Sequence, residues 1–192
     1  MTVAQRPAWD GRTVVCIASG PSLTADDCAL VREAGYRTVV TNTTFRIAPW
    51  ADALFAFDAR WWKVYHKEVH ASFAGLKLSA SQIAQNYGAQ ITFGASWFRG
   101  FRNSGACAVS LAICAGARRI VMLGFDAMAD AGRKHWHGDH PEGLENATSM
   151  PMWPQQFDSL ARFASERGVV AVNASRRTRL TCFPTLALED AL

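Results

Sequence analysis

Apolar residues along this chain come in short unbroken runs, separated by segments in which they recur every three or four positions. Short continuous runs predict strands buried on both faces, and the three-to-four spacing predicts helices. Residues 13–18 (TVVCIA) read as the first strand and 24–34 (TADDCALVREA) as the helix after it. Thr24 is placed to cap that helix, Asp26 and Asp27 suit its first turn, and Gly35 stops it. Strands at 37–41 (RTVVT) and 52–57 follow, then a helix carrying Trp61, Trp62, Tyr65 and Val69. Two further strands are predicted near 76–79 and 90–93. Residues 104–116 (SGACAVSLAICAG) predict a helix of small residues closed by Gly116, and RRIVMLGFD (118–126) an inner strand. The polar stretch 129–154, rich in Gly, His and Pro, is too long for a plain connection and is a candidate functional loop. A helix over 155–167 and a strand over 168–175 (GVVAVNAS) complete the alternation.

Strands alternating with helices imply an α/β fold: a three-layer Rossmann-like sandwich with a mostly parallel sheet, one domain over residues 1–192. Ligands in such sheets gather at the carboxyl ends of the strands, near the switch in strand order. The predicted strand ends here are small and polar. They hold Ser19-Gly20-Pro21-Ser22, Thr41 to Thr44 with Asn42 among them, Asp58, Gly124 with Asp126, and Asn173 to Ser175.

Composition narrows the class. With 192 residues, 49% hydrophobic and 19% charged, the chain has the make-up of an ordinary globular domain. No apolar run reaches the length of a membrane span, and the first residues lack a basic head followed by an apolar core. The cytoplasm is the compartment expected. Five scattered cysteines (Cys16, Cys28, Cys107, Cys114 and Cys182) without a CxxC read as reduced, buried thiols and not as a zinc site. The net charge of +4 is not gathered into a basic block, so it suits a phosphorylated small molecule and does not indicate nucleic acid.

Three segments carry candidate chemistry. Ser19-Gly20-Pro21-Ser22 before a capped helix can cradle a phosphate: Gly20 lets backbone approach, the serines offer hydroxyls, and the helix start offers N–H groups. A plain β-turn explains the same residues equally well. Asn103-Ser104-Gly105 opens the next helix, with Arg99 and Arg102 beside it, a pattern suited to a second phosphate or a carboxylate. HWHGDH (135–140) puts three of the five histidines within six residues. It matches the HxHxDH motif of metallo-β-lactamase-fold hydrolases, which suits a metal-dependent hydrolase. No histidine follows His140 to supply that fold's downstream ligands, so zinc is not expected; one of His135, His137 and His140 then serves as a general base.

Taken in order, VVCIASGPSL, RNSGACAVSLAICAGARRIVMLGFD and the His-rich loop followed by GVVAVNAS resemble one Rossmann-like superfamily over about residues 12–175. It holds bacterial sialyltransferases that use CMP-sialic acid, archaeal-type hydroxymethyl-dihydropterin pyrophosphokinases, and short members familiar from phage and prophage genomes. The resemblance implies that Ser19, Gly20, Pro21 and Ser22 lie against a nucleotide phosphate. It implies that Asn42, Ser104 and Gly105 contact the donor, with Asn103 opening the same helix, and that a histidine of the late loop is the base. Asp58 stands where the sialyltransferases have a second Asn, and their phosphate-supporting tyrosines have no counterpart. Arg99, Arg102, Arg133 or Lys134 would neutralise the leaving charge instead. Diphosphate transfer from ATP would place magnesium on Asp58, Asp126 or Asp139. The expected function is therefore a nucleotide-dependent transferase acting on a nucleotide or nucleotide-sugar donor and a small-molecule or glycan acceptor. Pyrophosphate transfer and a non-catalytic nucleotide-binding or phage assembly protein are the alternatives, and a homo-oligomer is compatible with each.

Overall fold

A computed structural model of the chain describes residues 3–144 and 147–192. Seven strands form one sheet: β1 (Thr13–Ile17), β2 (Arg37–Thr41), β3 (Ala53–Phe55), β4 (Leu76–Ser79), β5 (Gln90–Ile91), β6 (Arg119–Leu123) and β7 (Val170–Asn173). Their order is β5-β4-β3-β2-β1-β6-β7, and every pair is parallel. The expected α/β class with a parallel, Rossmann-like sheet is what the chain adopts.

Alternation along the strands divides the core into two. Val14, Cys16, Val39, Phe55, Ile120 and Met122 face one layer, built by α3 (Ser104–Cys114) and α4 (Trp153–Glu166). Val15, Ile17, Val40, Leu54, Val121 and Leu123 face the other, built by α1 (Ala25–Ala34) and α2 (Ala59–Ser72). Helix α3 is buried continuously from Ala106 to Ile113. Its alanines, Cys107 and Ser110 let it lie close across β1, β2, β3 and β6, which is why its sequence is small rather than amphipathic. Trp61 and Trp62 are core residues of α2, at 3% and 0% exposure. The five cysteines are free thiols.

Several boundaries move. The strand expected over 52–57 pairs only from Ala53 to Phe55, and the one near 90–93 only over Gln90–Ile91. Helix α3 stops at Cys114, with Gly116 just beyond in the left-handed region. Helix α4 starts at Trp153, ahead of the expected 155, because Pro154 fits the first turn, where no N–H is needed. A short α5 (Leu188–Ala191), too brief for a periodic signal, ends the chain against the α1–α2 layer. Val3 bridges Ile91, and the Ala4 N–H donates to the Ile91 carbonyl at 2.9 Å, so the N-terminal residues cover the edge at β5. No helix among the described residues is long and apolar enough to cross a membrane.

Strand order reverses between β1 and β6, and there the loops leaving both strands touch. The Gly20 N–H donates to the Gly124 carbonyl at 2.8 Å. Gly124 has φ +72, and a β-carbon there would stand 2.8 Å from the Ala18 carbonyl oxygen. Glycine is thus required for the close approach that shapes the carboxyl end of the sheet.

Candidate functional site

A cleft of about 200 Å³ lies at that end. It is lined by Ser19, Gly20 and Pro21 after β1, Asn42 after β2, Asp58 after β3, and Arg102 to Gly105 at the start of α3. Asp126 after β6 and Lys134, His135 and His140 from the long loop add further polar groups to it. Ser22, Arg99, Arg133, His137 and Asp139 are not among the lining residues.

The first loop is organised around one of the protein's own carboxylates. The Ser22 N–H donates to Asp126 Oδ2 at 2.7 Å, and its hydroxyl to Oδ1 at 2.9 Å. Burial pushes the Asp126 carboxyl up from its ordinary value, against the pull of these two hydrogen bonds. The donors that Ser22 was expected to offer a phosphate therefore already hold an anion. The start of α1 is filled in the same way: Thr24 and Asp27 form a reciprocal capping box, and Arg176 binds Asp27 with both terminal nitrogens. Arg176 also donates to the Ser22 carbonyl at 3.0 Å.

Ser19 faces another way. Its hydroxyl stands 3.1 Å from His135 Nδ1, and its carbonyl accepts from the Trp136 N–H at 3.1 Å. These bonds, with the Trp136 indole donating to Thr44 Oγ1 at 3.3 Å, fasten HWHGDH over the ends of β1 and β2. On the other side one hydroxyl joins three elements. Ser104 Oγ donates to Asn42 Oδ1 at 3.0 Å and accepts from the Phe57 N–H at 3.0 Å. Asn42 sits at φ +47, a conformation that asparagine tolerates better than most residues, and its Nδ2 is the donor the side chain still has to offer.

Other expected residues have structural duties. Asn103 caps α3, accepting from the Ala106 N–H at 2.7 Å, and donates to Gln156 at 2.7 Å. Asp58 caps α2 by accepting from the Arg60 N–H at 2.8 Å. A β-carbon on Gly105 would come within 3.1 Å of the Phe125 ring, so glycine serves packing there. Two of the four expected phosphate cations are displaced. The Arg99 guanidinium lies 4.6 Å from the centre of the Phe163 ring, and Arg133 donates to the Pro21 carbonyl at 3.4 Å. Arg102 and Lys134 remain at the cleft.

The three histidines of the motif come together. Ring centres are 5.2 Å apart for His135 and His137, 5.1 Å for His135 and His140, and 4.8 Å for His137 and His140. The Nε2 atoms of His135 and His137 are buried with no hydrogen-bond partner. Burial first, then the neighbouring His140, pulls His135 down to about 4 and His137 to about 3. Burial also lowers His140. The imidazoles of His135 and His137 are therefore neutral at pH 7. Among the described residues no group of three or more His, Cys, Asp or Glu is placed to hold a metal ion, and Asp58 and Asp126 have the separate duties given above.

Sequence reasoning missed most of the apolar lining of the cleft, Phe57, Met150, Trp153 and Phe157 among it. Trp153 and Phe157 are four apart in α4 and carry only the signal of an ordinary core-facing helix.

No family model matches the chain. No curated protein matches it either. Solved structures give weak likenesses. BdcA (YjgI) from E. coli is 17% identical at TM-score 0.31, covering 88% of this chain and 83% of that one. A short-chain dehydrogenase/reductase variant from Serratia marcescens is 12% identical at TM-score 0.29, covering 86% and 74%. An uncharacterised protein from Mycobacterium paratuberculosis is 14% identical at TM-score 0.32, covering 95% and 75%. Likenesses this slight carry no argument about the site.

Proposed function

We propose that the chain is a nucleotide-dependent transferase, most like a glycosyltransferase that uses a nucleotide-sugar donor. The observation that carries this reading is His135. It stands in a cleft at the carboxyl end of a parallel sheet, held through Nδ1 by Ser19, with its Nε2 buried and unpartnered. With Nδ1–H donating to Ser19 Oγ, Nε2 carries the lone pair that can accept an acceptor hydroxyl's proton. That oxygen forms the new bond to the sugar's anomeric carbon, and the bond from that carbon to the donor phosphate breaks. The nucleotide leaves with the electron pair.

The occupied Ser22 changes where the donor fits. A phosphate beside Asp126 would meet a negative charge, whereas Arg102 and Lys134 supply positive charge elsewhere on the same cleft. Asn42 Nδ2 is then the donor available to a base or ribose oxygen. The cleft's volume lies below the roughly 300–1,000 Å³ usual for a drug-sized ligand, which favours a mononucleotide portion over a dinucleotide.

Thermal denaturation with CMP, UDP, ATP and their sugar conjugates, with and without Mg²⁺, tests the reading. A ligand at about one hundred times its Kd stabilises by about 2.7 kcal/mol, which raises Tm by roughly 5–10 °C in a chain of this size. A shift with one nucleotide or its sugar conjugate is expected. A shift with ATP alone that requires Mg²⁺ would move the assignment to diphosphate transfer. No shift with any of them at millimolar concentration would sink both and leave a non-catalytic role.

A further inference from the structure

We propose that the apolar side of the cleft takes a planar phenol whose ring hydroxyl is the acceptor of the transfer, an inference that rests on the transferase reading above. Phe57, Met128, Met150 and Trp153 share the cleft with His135. None of the four is fully buried: Phe57 is 36% exposed, and the other three are half-buried. Large apolar groups left open to one concave surface mark a ligand site.

Phe57 is held in place by its backbone. Its N–H donates to Ser104 Oγ at 3.0 Å and its carbonyl accepts from Ser79 Oγ at 3.3 Å, while the ring stays exposed. The Trp153 indole N–H is bonded to Ser149 Oγ at 3.1 Å, which leaves that ring its π surface to offer. Two aromatic rings and two thioethers suit a flat aromatic partner. Rings gain from offset stacking or edge contact, and a flexible thioether follows the partner's shape and meets its ring edge.

Bonds already made within the cleft disfavour a sugar as acceptor. A sugar brings several hydroxyls, and each one that leaves water without finding a partner costs free energy. Ser104 is engaged by Asn42 and Phe57, Asn103 by the helix it caps and by Gln156, and Asp126 by Ser22. A phenol brings one hydroxyl, and His135 Nε2, buried and unpartnered in the same cleft, accepts it. Burial pulls His135 down to about 4, which makes it a weak base. A phenol ionises at about 10 and yields its proton to such a base more readily than an alkyl hydroxyl does. In the step, the phenolic proton passes to Nε2 and the phenolic oxygen bonds to the anomeric carbon. The bond from that carbon to the phosphate breaks, the nucleotide leaves with the electron pair, and His135 returns the proton to water.

Binding is tested on the whole chain, isotopically labelled in its histidine rings, with no nucleotide present. The probes are 2-naphthol, 2-methoxynaphthalene and lactose. The naphthol is expected to bind and to shift the ring-nitrogen resonances of His135, leaving those of His66 and His70 in place. The methoxy compound has no proton to donate and should bind about 2–10-fold more weakly, and lactose more weakly than either. Trp153→Ala and Phe57→Ala should each weaken naphthol binding by about 5–10-fold, while Trp97→Phe, outside the cleft, should leave it unchanged. Because the Phe57 ring is exposed, its variant keeps the test open should Trp153→Ala fail to fold. No naphthol binding, affinity undiminished in the folded cleft variants, or tighter binding of lactose would each overturn the proposal, even where a nucleotide binds. Failure of the transferase reading shows separately, as the absence of any nucleotide-induced shift in Tm.

Discussion

At Gly20 a single added carbon separates two explanations of the SGPS turn. Its β-carbon would stand 2.4 Å from Asp126 Oδ1 and 2.5 Å from the Gly124 carbonyl oxygen. The glycine is therefore needed by the protein's own contacts before any ligand arrives. Gly20→Ala should cost about 2–3 kcal/mol, seen as a Tm lower by roughly 4–12 °C in calorimetry; an unchanged Tm would show that the loops yield freely. Asp126→Asn tests the same contact through pH. Burial raises the folded-state value of Asp126 above the unfolded 3.8, so the folded protein holds the proton more tightly. The resulting stabilisation is present at acid pH and is lost as pH rises through the folded value. Wild type should accordingly lose stability relative to Asp126→Asn over the interval above 3.8. Denaturant midpoints measured from pH 3.5 to 7 check the sign.

Among the elements, those with local signals were readable in the sequence and those defined by distant partners were not. Helix α1 shows both. Thr24 and the acids after it announce the cap, and the structure places Asp27 in a capping box. Nothing near them announces Arg176, which reaches Asp27 across 149 positions. The same separation hides the filling of the phosphate-like turn, since Ser22 and Asp126 are 104 apart. HWHGDH was legible as a concentration of histidines; the convergence of their rings depends on loop backbone that no periodicity describes. Strand β5 was overestimated because its apolar residues serve only a two-residue pairing. Removing the local part of the α1 start should be mild: Thr24→Ala is expected to cost about 1 kcal/mol. Asp27→Ala should cost more, because it takes away the cap's other half and the partner of Arg176 together. Chemical denaturation of the two variants gives the comparison, and equal losses would show that the Arg176 contact contributes nothing.

Across the whole molecule, one edge of the sheet and its carboxyl end are fastened for different purposes. At the β5 margin the Trp97 indole donates to the Ala4 carbonyl at 3.0 Å, holding the N-terminal residues along the edge. Neither residue lines the cleft. Over the carboxyl ends of β1 and β2, Trp136 joins the long loop to Thr44 and to the Ser19 carbonyl. Stability and binding should therefore separate between two tryptophans. Trp97→Phe removes one hydrogen bond and should lower stability by about 1 kcal/mol while leaving the nucleotide Kd within twofold. Trp136→Phe removes a bond of the same kind, but it releases the segment that carries His135, and it should weaken nucleotide binding about tenfold for a similar change in Tm. Isothermal titration and thermal melts on both variants decide the matter. If both substitutions changed Kd alike, the loop's attachment at Thr44 would have no special part in shaping the cleft. If only Trp136→Phe did, the loop would be acting as the wall of the site and not merely as a connection between β6 and α4.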